Sequence, residues 1–155
     1  MTMASLKFDE SLVKIFEQPP NREKVERDLA AKLVEQGYAK LSFTEAILQR
    51  ELTYPTGLEF GSFAAAIPHC APENVNTPAL CVGVLKSPIA WGRMDDKNQT
   101  CQVSFVTMLA IIDPKDHLFM LQKVVGLIRD ADLAQRILYA GDPAEVYGLV
   151  HDKLA

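Results

Sequence analysis

Residues 64–70 read AAAIPHC, a short apolar run that stops at a proline and is followed by a histidine. Such a run is typical of a buried strand, and Pro68 ends it because proline has no N–H to donate to a β-ladder. The ends of strands in α/β proteins hold side chains rigidly and leave them open to a partner. His69 could therefore be a nucleophile, a general base or a metal ligand. The alternative is a partly buried histidine in a turn, with no chemical role.

Apolar runs on either side of this segment predict further strands of the same sheet. The strand that contains the three alanines is predicted over residues 63–67. Residues 79–85 are nearly all apolar, and residues 101–112 form the longest predominantly apolar run, which is typical of a central strand. Residues 12–16 predict an earlier strand, which two consecutive prolines bring to an end.

The segments between these strands predict turns and loops. Residues 54–57, with the sequence YPTG, form a turn signal, and the loop is expected to continue to Ser62. Residues 71–78 are polar and contain two prolines, which favours another loop. Residues 88–91 predict a short, separate edge strand, and residues 92–98 predict an exposed turn after it.

Two helices are predicted between the first two strands. Apolar side chains recur every four residues over 22–36, which indicates an amphipathic helix, and Asn21 is a good N-cap for it. A second helix is predicted over 42–52. Ser42 and Glu45 have the spacing of a capping box, in which each side chain accepts a hydrogen bond from the other residue's backbone N–H.

Three helices are predicted after the last strand. Asp116 is placed to cap the first of them, and His117 falls in its first turn, where the helix dipole favours a nearby anion such as phosphate. The other two are predicted over 131–139 and 143–154. The apolar face predicted for the first helix comprises Leu118, Leu121, Val125 and Ile128.

The order of these elements predicts an α/β protein with an α+β character. Strands and helices do not alternate regularly, which argues against a doubly wound sheet. We expect a mixed β-sheet of about five strands, flanked by helices on both faces. No internal repeat or long linker divides the chain, so residues 1–155 are predicted to form a single domain.

Composition narrows the class of protein. The 155 residues are 48% hydrophobic and 23% charged, and the formal net charge is −4. This acidic balance disfavours non-specific nucleic-acid binding, which needs a basic surface. No apolar stretch is long enough to cross a membrane. The odd number of cysteines (Cys70, Cys81 and Cys101) and the lack of a secretory leader predict a cytoplasmic protein without disulfides.

Several common catalytic motifs are missing from the sequence, namely the glycine-rich phosphate loop, G-x-S-x-G and C-x-x-C. The histidines are His69, His117 and His151, and no two of them have a close metal-ligand spacing. A zinc site built from His69, Cys70 and His117 is an alternative, but it needs a fourth ligand or a bound water. Cys70 as a thiol nucleophile is another, although adjacent residues in an extended segment point in opposite directions. We therefore assign no cofactor and no metal.

Three side chains remain that suit a transient phosphohistidine. They are His69 at a strand end, His117 at a helix N-terminus and Arg50 in the last turn of the helix over 42–52. One imidazole nitrogen would attack phosphorus, while positive charge and N–H donors hold the phosphoryl oxygens. Arginine can bind two of those oxygens at once. The alternatives are a solvated helix cap for Arg50 and an exposed first-turn side chain for His117.

An ordered series of short motifs resembles the enzyme IIA components of the sugar phosphotransferase system, in the fructose/mannitol class. The series begins with Arg50-Glu51, continues through YPTG at 54–57 and reaches AIPH at 66–69, which looks like the phosphorylation-site signature of that family. The likeness covers residues 6–154. Further matching pieces are ENVNTP at 73–78, VGVL at 82–85, PIAW at 88–91 and MDD at 94–96.

Within that class the details are most similar to the galactitol-specific IIA branch. The pieces that carry this likeness are HC at 69–70, PENVNTP at 72–78 and RMDD at 93–96. The resemblance implies that His69 accepts a phosphoryl group from phospho-HPr, through Nε2. His69 would then pass the group to a cysteine of a IIB component, which phosphorylates the sugar during uptake by the membrane IIC component.

The resemblance also implies that Arg50 and His117 assist at the site, and that the fold is a mixed five-stranded sheet between helices. A regulatory role is the alternative function. Nitrogen-related IIA proteins resemble this class and control partner proteins through their phosphorylation state. The chemistry of His69 would be the same in both cases, and only the recipient of the signal or of the phosphoryl group would differ.

Overall fold

The computed structural model describes residues 6–61 and 63–154. Within those residues the strands are β1 (Val13–Phe16), β2 (Gly57–Phe60), β3 (Phe63–Ala66), β4 (Ala79–Gly92) and β5 (Thr100–Ala110). They form one mixed sheet with the order β1-β4-β5-β3-β2. The predicted α/β class and the mixed sheet of about five strands are confirmed.

Helices cover both faces of this sheet. They are α1 (Arg22–Glu35), α2 (Phe43–Thr53), α3 (Pro114–Ile128), α4 (Ala131–Tyr139) and α5 (Pro143–Leu154). The first two pack on one face, and the last three pack on the other. In the described part of the chain, no helix is both long enough and apolar enough to cross a membrane.

The alanine-rich strand β3 is covered on both of its faces. Alternate residues of a strand point to opposite sides. Ala64 and Ala66 join the core beneath α1 and α2, whereas Ala65 and Ile67 join the core beneath α3, α4 and α5. All four side chains are buried. Burial on both sides explains why this segment is continuously apolar and does not alternate.

Strands β3 and β5 are neighbours and run parallel, with Ala66 opposite Val106. Their carboxyl ends therefore lie at the same edge of the sheet. The chain that leaves β3 leads at once to His69, and the chain that leaves β5 leads to α3. A hydrogen bond of 2.9 Å from Leu109 N to Pro68 O fastens the segment before His69 to β5.

The loop predicted after the turn at 54–57 is wrong, because this segment forms β2. The strand pairs antiparallel with β3, with Gly57 opposite Ala66. It lies at the edge of the sheet and only one of its residues is fully buried, so its sequence has little apolar pattern. The predicted end of the loop, Ser62, lies outside the described residues.

The separate edge strand predicted over 88–91 is also wrong. These residues are the second half of β4, which continues beyond a shift of register between Val84 and Ile89. Pro88 lies at this irregularity, where a residue without an N–H is tolerated. The continuation places Trp91 in the core, with 1% of its surface exposed.

Of the predicted caps for the first two helices, one is confirmed and one is wrong. Asn21 caps α1 through its side chain, as predicted. Ser42 has helical backbone angles, φ −70° and ψ −14°, so its side chain is not placed to cap α2. The Ser42 hydroxyl instead donates to Asn74 Oδ1 at 2.7 Å, and Glu45 pairs with Arg27.

The cap and the apolar face predicted for α3 are corrected as well. The cap is Asp113, which accepts from the second backbone N–H after it, and not Asp116. Leu118 is 58% exposed, while Leu121 and Val125 are only partly buried. The helix has two adjacent apolar stripes, and periodicity alone does not say which one faces the sheet. The buried stripe comprises Met120, Val124, Leu127 and Ile128, so of the four predicted residues Ile128 is confirmed.

Gly57 begins β2 in a crowded corner of the sheet. A Cβ atom on this residue would lie 2.5 Å from Gly92 O and 2.9 Å from Cys101 Sγ. The oxygen belongs to the backbone of β4 and cannot swing away as the end of a flexible side chain can. A side chain at Gly57 would therefore push β2 away from β4 and β5.

We expect Gly57→Ala to lower the free energy of unfolding by about 1–3 kcal/mol, measured by urea denaturation. Gly126→Ala on α3 is the matched control, because no atom from elsewhere in the described chain lies within 4 Å of its Cβ position. That change should leave stability unchanged or raise it by about 0.5–1 kcal/mol. A Gly57→Ala protein as stable as the wild type would contradict the close contact with Gly92.

Candidate functional site

An open cleft of about 400 Å³ lies at the edge of the sheet where β3 and β5 end. Its walls come from the segment after β3, the segment that joins β5 to α3, and the last turn of α2. Residues that line it include Arg50, His69, Cys70, Ile112 and His117. The structure thus brings together the three residues that the sequence pattern singled out for phosphoryl chemistry. Their chemical roles remain predictions.

His69 is half-buried at the base of the cleft, and its ring is fixed by the backbone. Nδ1 lies 2.8 Å from the carbonyl oxygen of Ile67. A carbonyl oxygen only accepts hydrogen bonds, so Nδ1 carries the proton in this contact. The neutral ring then has its lone pair on Nε2. The backbone thereby selects one tautomer and leaves Nε2 as the nucleophilic nitrogen.

His117 lies against His69 from the other side of the cleft. It belongs to the first turn of α3, where its backbone N–H donates to Asp113 O at 2.9 Å. The two imidazole centroids are 4.5 Å apart, with an angle of 58° between the ring planes. The N-terminus of a helix carries partial positive charge, so this wall of the cleft favours an anion.

Arg50 supplies the formal positive charge of the cleft. It lies in the last turn of α2, and its guanidinium carbon is 4.9 Å from the centroid of the Tyr54 ring. Stacking on an aromatic face restricts the guanidinium without neutralising it. The side chain is exposed, as the alternative of a solvated cap requires, but it also lines the cleft beside His69.

The surroundings of both imidazoles favour their neutral forms. Burial lowers the pKa of His69, the hydrogen bond to Ile67 partly opposes this, and the positive charge of Arg50 lowers the pKa further. Burial also lowers the pKa of His117, with additional lowering by His69 and Arg50. A neutral His69 keeps the lone pair that a nucleophile needs, and a neutral His117 still has one N–H to donate.

Cys70 and the zinc alternative receive no support from the geometry. Burial raises the pKa of the Cys70 thiol to about 11, so the reactive thiolate is scarce at neutral pH. The thiol contacts the Asn74 amide, with 3.8 Å between Nδ2 and Sγ. Over residues 6–61 and 63–154, no three His, Cys, Asp or Glu side chains are grouped so as to hold a metal ion.

A buried polar network behind the cleft was not predicted from the sequence. Glu51, next to Arg50 on α2, is only 3% exposed. Its Oε2 accepts hydrogen bonds from Thr56 N and Trp91 Nε1, both at 3.1 Å, and its Oε1 accepts from the Thr56 hydroxyl. Thr56 Oγ1 in turn accepts from Ile67 N at 3.0 Å. The network therefore reaches the residue whose carbonyl oxygen holds His69.

Little in the sequence could have revealed this network. Glu51 was visible only as part of the Arg50-Glu51 motif, and glutamate is almost never fully buried unless it is paired. Burial raises the pKa of Glu51, while hydrogen bonds from Thr56 and Trp91 act against that increase. Trp91 lies in β4 and Thr56 in the turn that follows α2, so the approach of Trp91 in particular depends on the tertiary structure.

The sequence matches a protein family and is similar to individual proteins. Residues 7–153 match the protein family described as "Phosphoenolpyruvate-dependent sugar phosphotransferase system, EIIA 2". The galactitol-specific EIIA component of the PTS of Escherichia coli (strain K12) is 24% identical over 118 residues, which cover 76% of this chain and 78% of the relative.

Solved structures share the fold. A chain of the Escherichia coli complex of enzyme IIAMTL and phosphorylated enzyme IIBMTL has a TM-score of 0.79 at 18% identity, covering 95% of this chain and 99% of that chain. The nitrogen regulatory protein IIA-Ntr from Neisseria meningitidis has a TM-score of 0.71 at 17% identity, covering 92% of this chain and 94% of that chain. At these identities the likeness concerns the fold.

The family match extends over nearly the whole chain and includes every residue of the cleft described above. It confirms the resemblance that the motifs around residues 50–69 indicated. The chain therefore belongs to the EIIA 2 family of the phosphoenolpyruvate-dependent sugar phosphotransferase system, within the fructose/mannitol class.

Proposed function

We propose that this protein is a phosphocarrier that receives a phosphoryl group on His69 Nε2 from phospho-HPr and passes it to a cysteine of a IIB component. The observation that carries the proposal is the fixed ring of His69. Its Nδ1 is engaged by Ile67 O at 2.8 Å, which leaves Nε2 free, and the residue lines a cleft shared with Arg50 and His117. A nucleophile, a cation and an N–H donor are the components that phosphoryl transfer requires.

The proposed transfer needs no cofactor, because one bond to phosphorus forms as another breaks. The Nε2 lone pair forms the new N–P bond, and the bond between phosphorus and the donor nitrogen of HPr breaks, with its electron pair returning to the donor. The His69 ring becomes more positive as the N–P bond forms. The hydrogen bond from Nδ1–H to Ile67 O strengthens with that charge and stabilises the product.

Arg50 and His117 would act on the phosphoryl oxygens. Arginine's planar fork can hold two oxygens, and His117 can donate one N–H while remaining neutral. These donors are in place before the reaction, so little reorganisation is needed when charge shifts in the transition state. Neither residue accepts the phosphoryl group in this scheme, which assigns them supporting roles.

The rim of the cleft suits protein partners. Two exposed apolar side chains lie there, since Ile112 lines the cleft and the Tyr54 ring packs against Arg50, which also lines it. Exposed apolar side chains around an open site are typical of a surface that docks another protein. HPr and the IIB component would use this face in turn, because both must bring their reactive groups to His69.

The proposed pathway is the uptake of a galactitol-type sugar. It rests on the likeness to the Escherichia coli galactitol-specific EIIA component. The membrane IIC component would then be an indirect partner, and the protein would work in the cytoplasm, where HPr is phosphorylated. The acidic net charge of −4 gives no reason to add a nucleic acid to these partners.

We expect His69→Ala to abolish phosphorylation and His117→Ala to slow it by roughly 10²-fold, since the first change removes the acceptor and the second removes one donor to the phosphoryl oxygens. The protein would be incubated with phosphoenolpyruvate, enzyme I and HPr, and its intact mass followed over time. His151→Ala is the matched control, because His151 lies on α5 and does not line the cleft. Uptake of an acid-labile phosphoryl group by His69→Ala would refute the assignment.

The same preparation separates transport from regulation. Phosphorylated wild-type protein mixed with a galactitol IIB component should lose its phosphoryl group to the IIB cysteine. Two results together would instead favour the regulatory alternative. The phosphorylated protein would fail to transfer its group to IIB components, and a kinase or transcription factor would bind only one of its phosphorylation states.

The rate of phosphorylation should depend on pH through His69. Because burial and Arg50 lower the pKa of His69, we expect its titration by NMR to fall below the ordinary value of about 6.5. The rate should rise as pH increases through that lowered pKa and stay constant above it, since protonation of Nε2 removes the nucleophilic lone pair.

Arg50→Gln should move the His69 titration to higher pH, because it removes a positive charge that disfavours the imidazolium. Arg136→Gln, on the last turn of α4, is the control and should leave the titration unchanged. A wild-type His69 that titrates above pH 6.5 would contradict the description of the cleft.

A further inference from the structure

A chain of hydrogen bonds, joined through the backbone of Ile67, runs from the core to the ring of His69. Trp91 Nε1 donates to Glu51, the Thr56 hydroxyl donates to Glu51, and Ile67 N donates to Thr56 Oγ1. The last link is the bond between Ile67 O and His69 Nδ1 at 2.8 Å. Of these five residues only His69 lines the cleft.

The position of Thr56 explains why a side chain takes part in this chain. The ladder between β2 and β3 ends at Gly57 opposite Ala66. The next pair would join Thr56 to Ile67. At that pair the Thr56 hydroxyl accepts the Ile67 N–H in place of a backbone carbonyl. The threonine therefore extends the sheet by one hydrogen bond, beyond the last residue of β3.

The hydrogen bond from Ile67 N to Thr56 holds the chain immediately before the histidine. Pro68 has no N–H, so Ile67 N is the last backbone donor before His69. The carbonyl of the same residue, Ile67, then meets the His69 ring. Holding Ile67 N through Thr56 thus restrains the backbone from which the carbonyl that selects the tautomer of His69 projects.

Glu51 determines how the Thr56 hydroxyl is oriented. A hydroxyl group has one proton to donate, and its lone pairs are free to accept. Because the proton is directed to Glu51 Oε1, the lone pairs are available to Ile67 N. Glu51 also accepts the Thr56 N–H, so both the backbone and the side chain of Thr56 are held by one carboxyl group.

We propose that Glu51 and Thr56 are positioning residues that set the tautomer and orientation of His69 through the backbone of Ile67. The consequence for phosphoryl transfer rests on the proposed function of His69. The consequence for the tautomer does not, because it depends on the hydrogen bonds alone. Arg50 precedes Glu51 on α2, so the same carboxyl group anchors the helix turn that presents the cation to the cleft.

The test uses three threonine variants of the whole chain. Thr56→Val removes the hydroxyl and nearly preserves the shape of the side chain, and Thr56→Ser restores the hydroxyl. Thr107→Val is the matched control, because Thr107 is also buried in the sheet but its hydroxyl has no hydrogen-bond partner among the described residues. The tautomer of His69 is read from long-range ¹H–¹⁵N NMR spectra, and the rate of transfer from phospho-HPr is measured in parallel.

We expect wild type, Thr56→Ser and Thr107→Val to show the Nδ1–H tautomer of His69. Thr56→Val should show a mixture of tautomers, and its rate of phosphoryl transfer should fall by roughly 10²-fold, as expected for a displaced nucleophile. Thr56→Ser should recover most of that rate. A merely structural role for Thr56 would change the stability without changing the tautomer.

Glu51→Gln provides a second route if Thr56→Val does not fold. The carboxylate of Glu51 accepts with both of its oxygens, whereas an amide has only one acceptor oxygen. The Thr56 hydroxyl, Thr56 N and Trp91 Nε1 therefore cannot all keep an acceptor in this variant. Far-ultraviolet circular dichroism reports whether the variant is folded, because Trp91 contacts Glu51 and its emission would respond to the substitution itself. A mixture of His69 tautomers in folded Glu51→Gln is the expected result.

A folded Thr56→Val or Glu51→Gln protein that keeps the wild-type tautomer would overturn the positioning role, and so would a Thr56→Ser protein that fails to restore it. A wild-type protein that does not accept a phosphoryl group would refute the proposed function instead. The tautomer comparison would still decide the role of Glu51 and Thr56 in that case, so the two failures can be distinguished.

Discussion

The parallel pairing of β3 with β5 is the constraint on which the site depends. Because the two strands end at the same edge, the segment that carries His69 and the helix that carries His117 leave the sheet side by side. An antiparallel pair would have sent the two histidines to opposite edges. The hydrogen bond from Leu109 to Pro68 maintains this alignment beyond the last residue of β3.

The cleft at this edge of the sheet would satisfy two electrostatic requirements of phosphoryl transfer. A phosphoryl acceptor must be neutral to attack, whereas the phosphoryl oxygens require positive charge. Burial is the largest cause of the lowered pKa of both histidines, and the charge of Arg50 acts in the same direction. The cation proposed to bind the oxygens therefore also favours the neutral form of the proposed nucleophile, His69. His69 follows β3 and Arg50 lies on α2, so the proposed nucleophile and the cation reach the same small cleft from different elements.

The buried strands were predicted well from their apolar runs, and features that depend on tertiary contacts were not. The buried strand before His69 and the central strand over most of 101–112 were evident from apolar runs. The edge strand β2 was missed because only one of its faces meets the core. The cap at Ser42 failed because its hydroxyl bonds to Asn74 from another segment. The buried carboxyl of Glu51 could not be foreseen, since both of its partners reach it only in the folded chain.

The topology also affects how the site is acquired when the chain folds. The parallel pairs β1–β4 and β3–β5 have no local hairpin, and Val13 must find Val82 before the first of them can form. Closing such large loops costs chain entropy before any contact is gained, which slows folding relative to helical domains of the same size. Arg50, His69 and His117 come from three separate segments. A partly folded intermediate would therefore contain His69 without its cleft, and phosphorylation at the proposed acceptor would report completed folding.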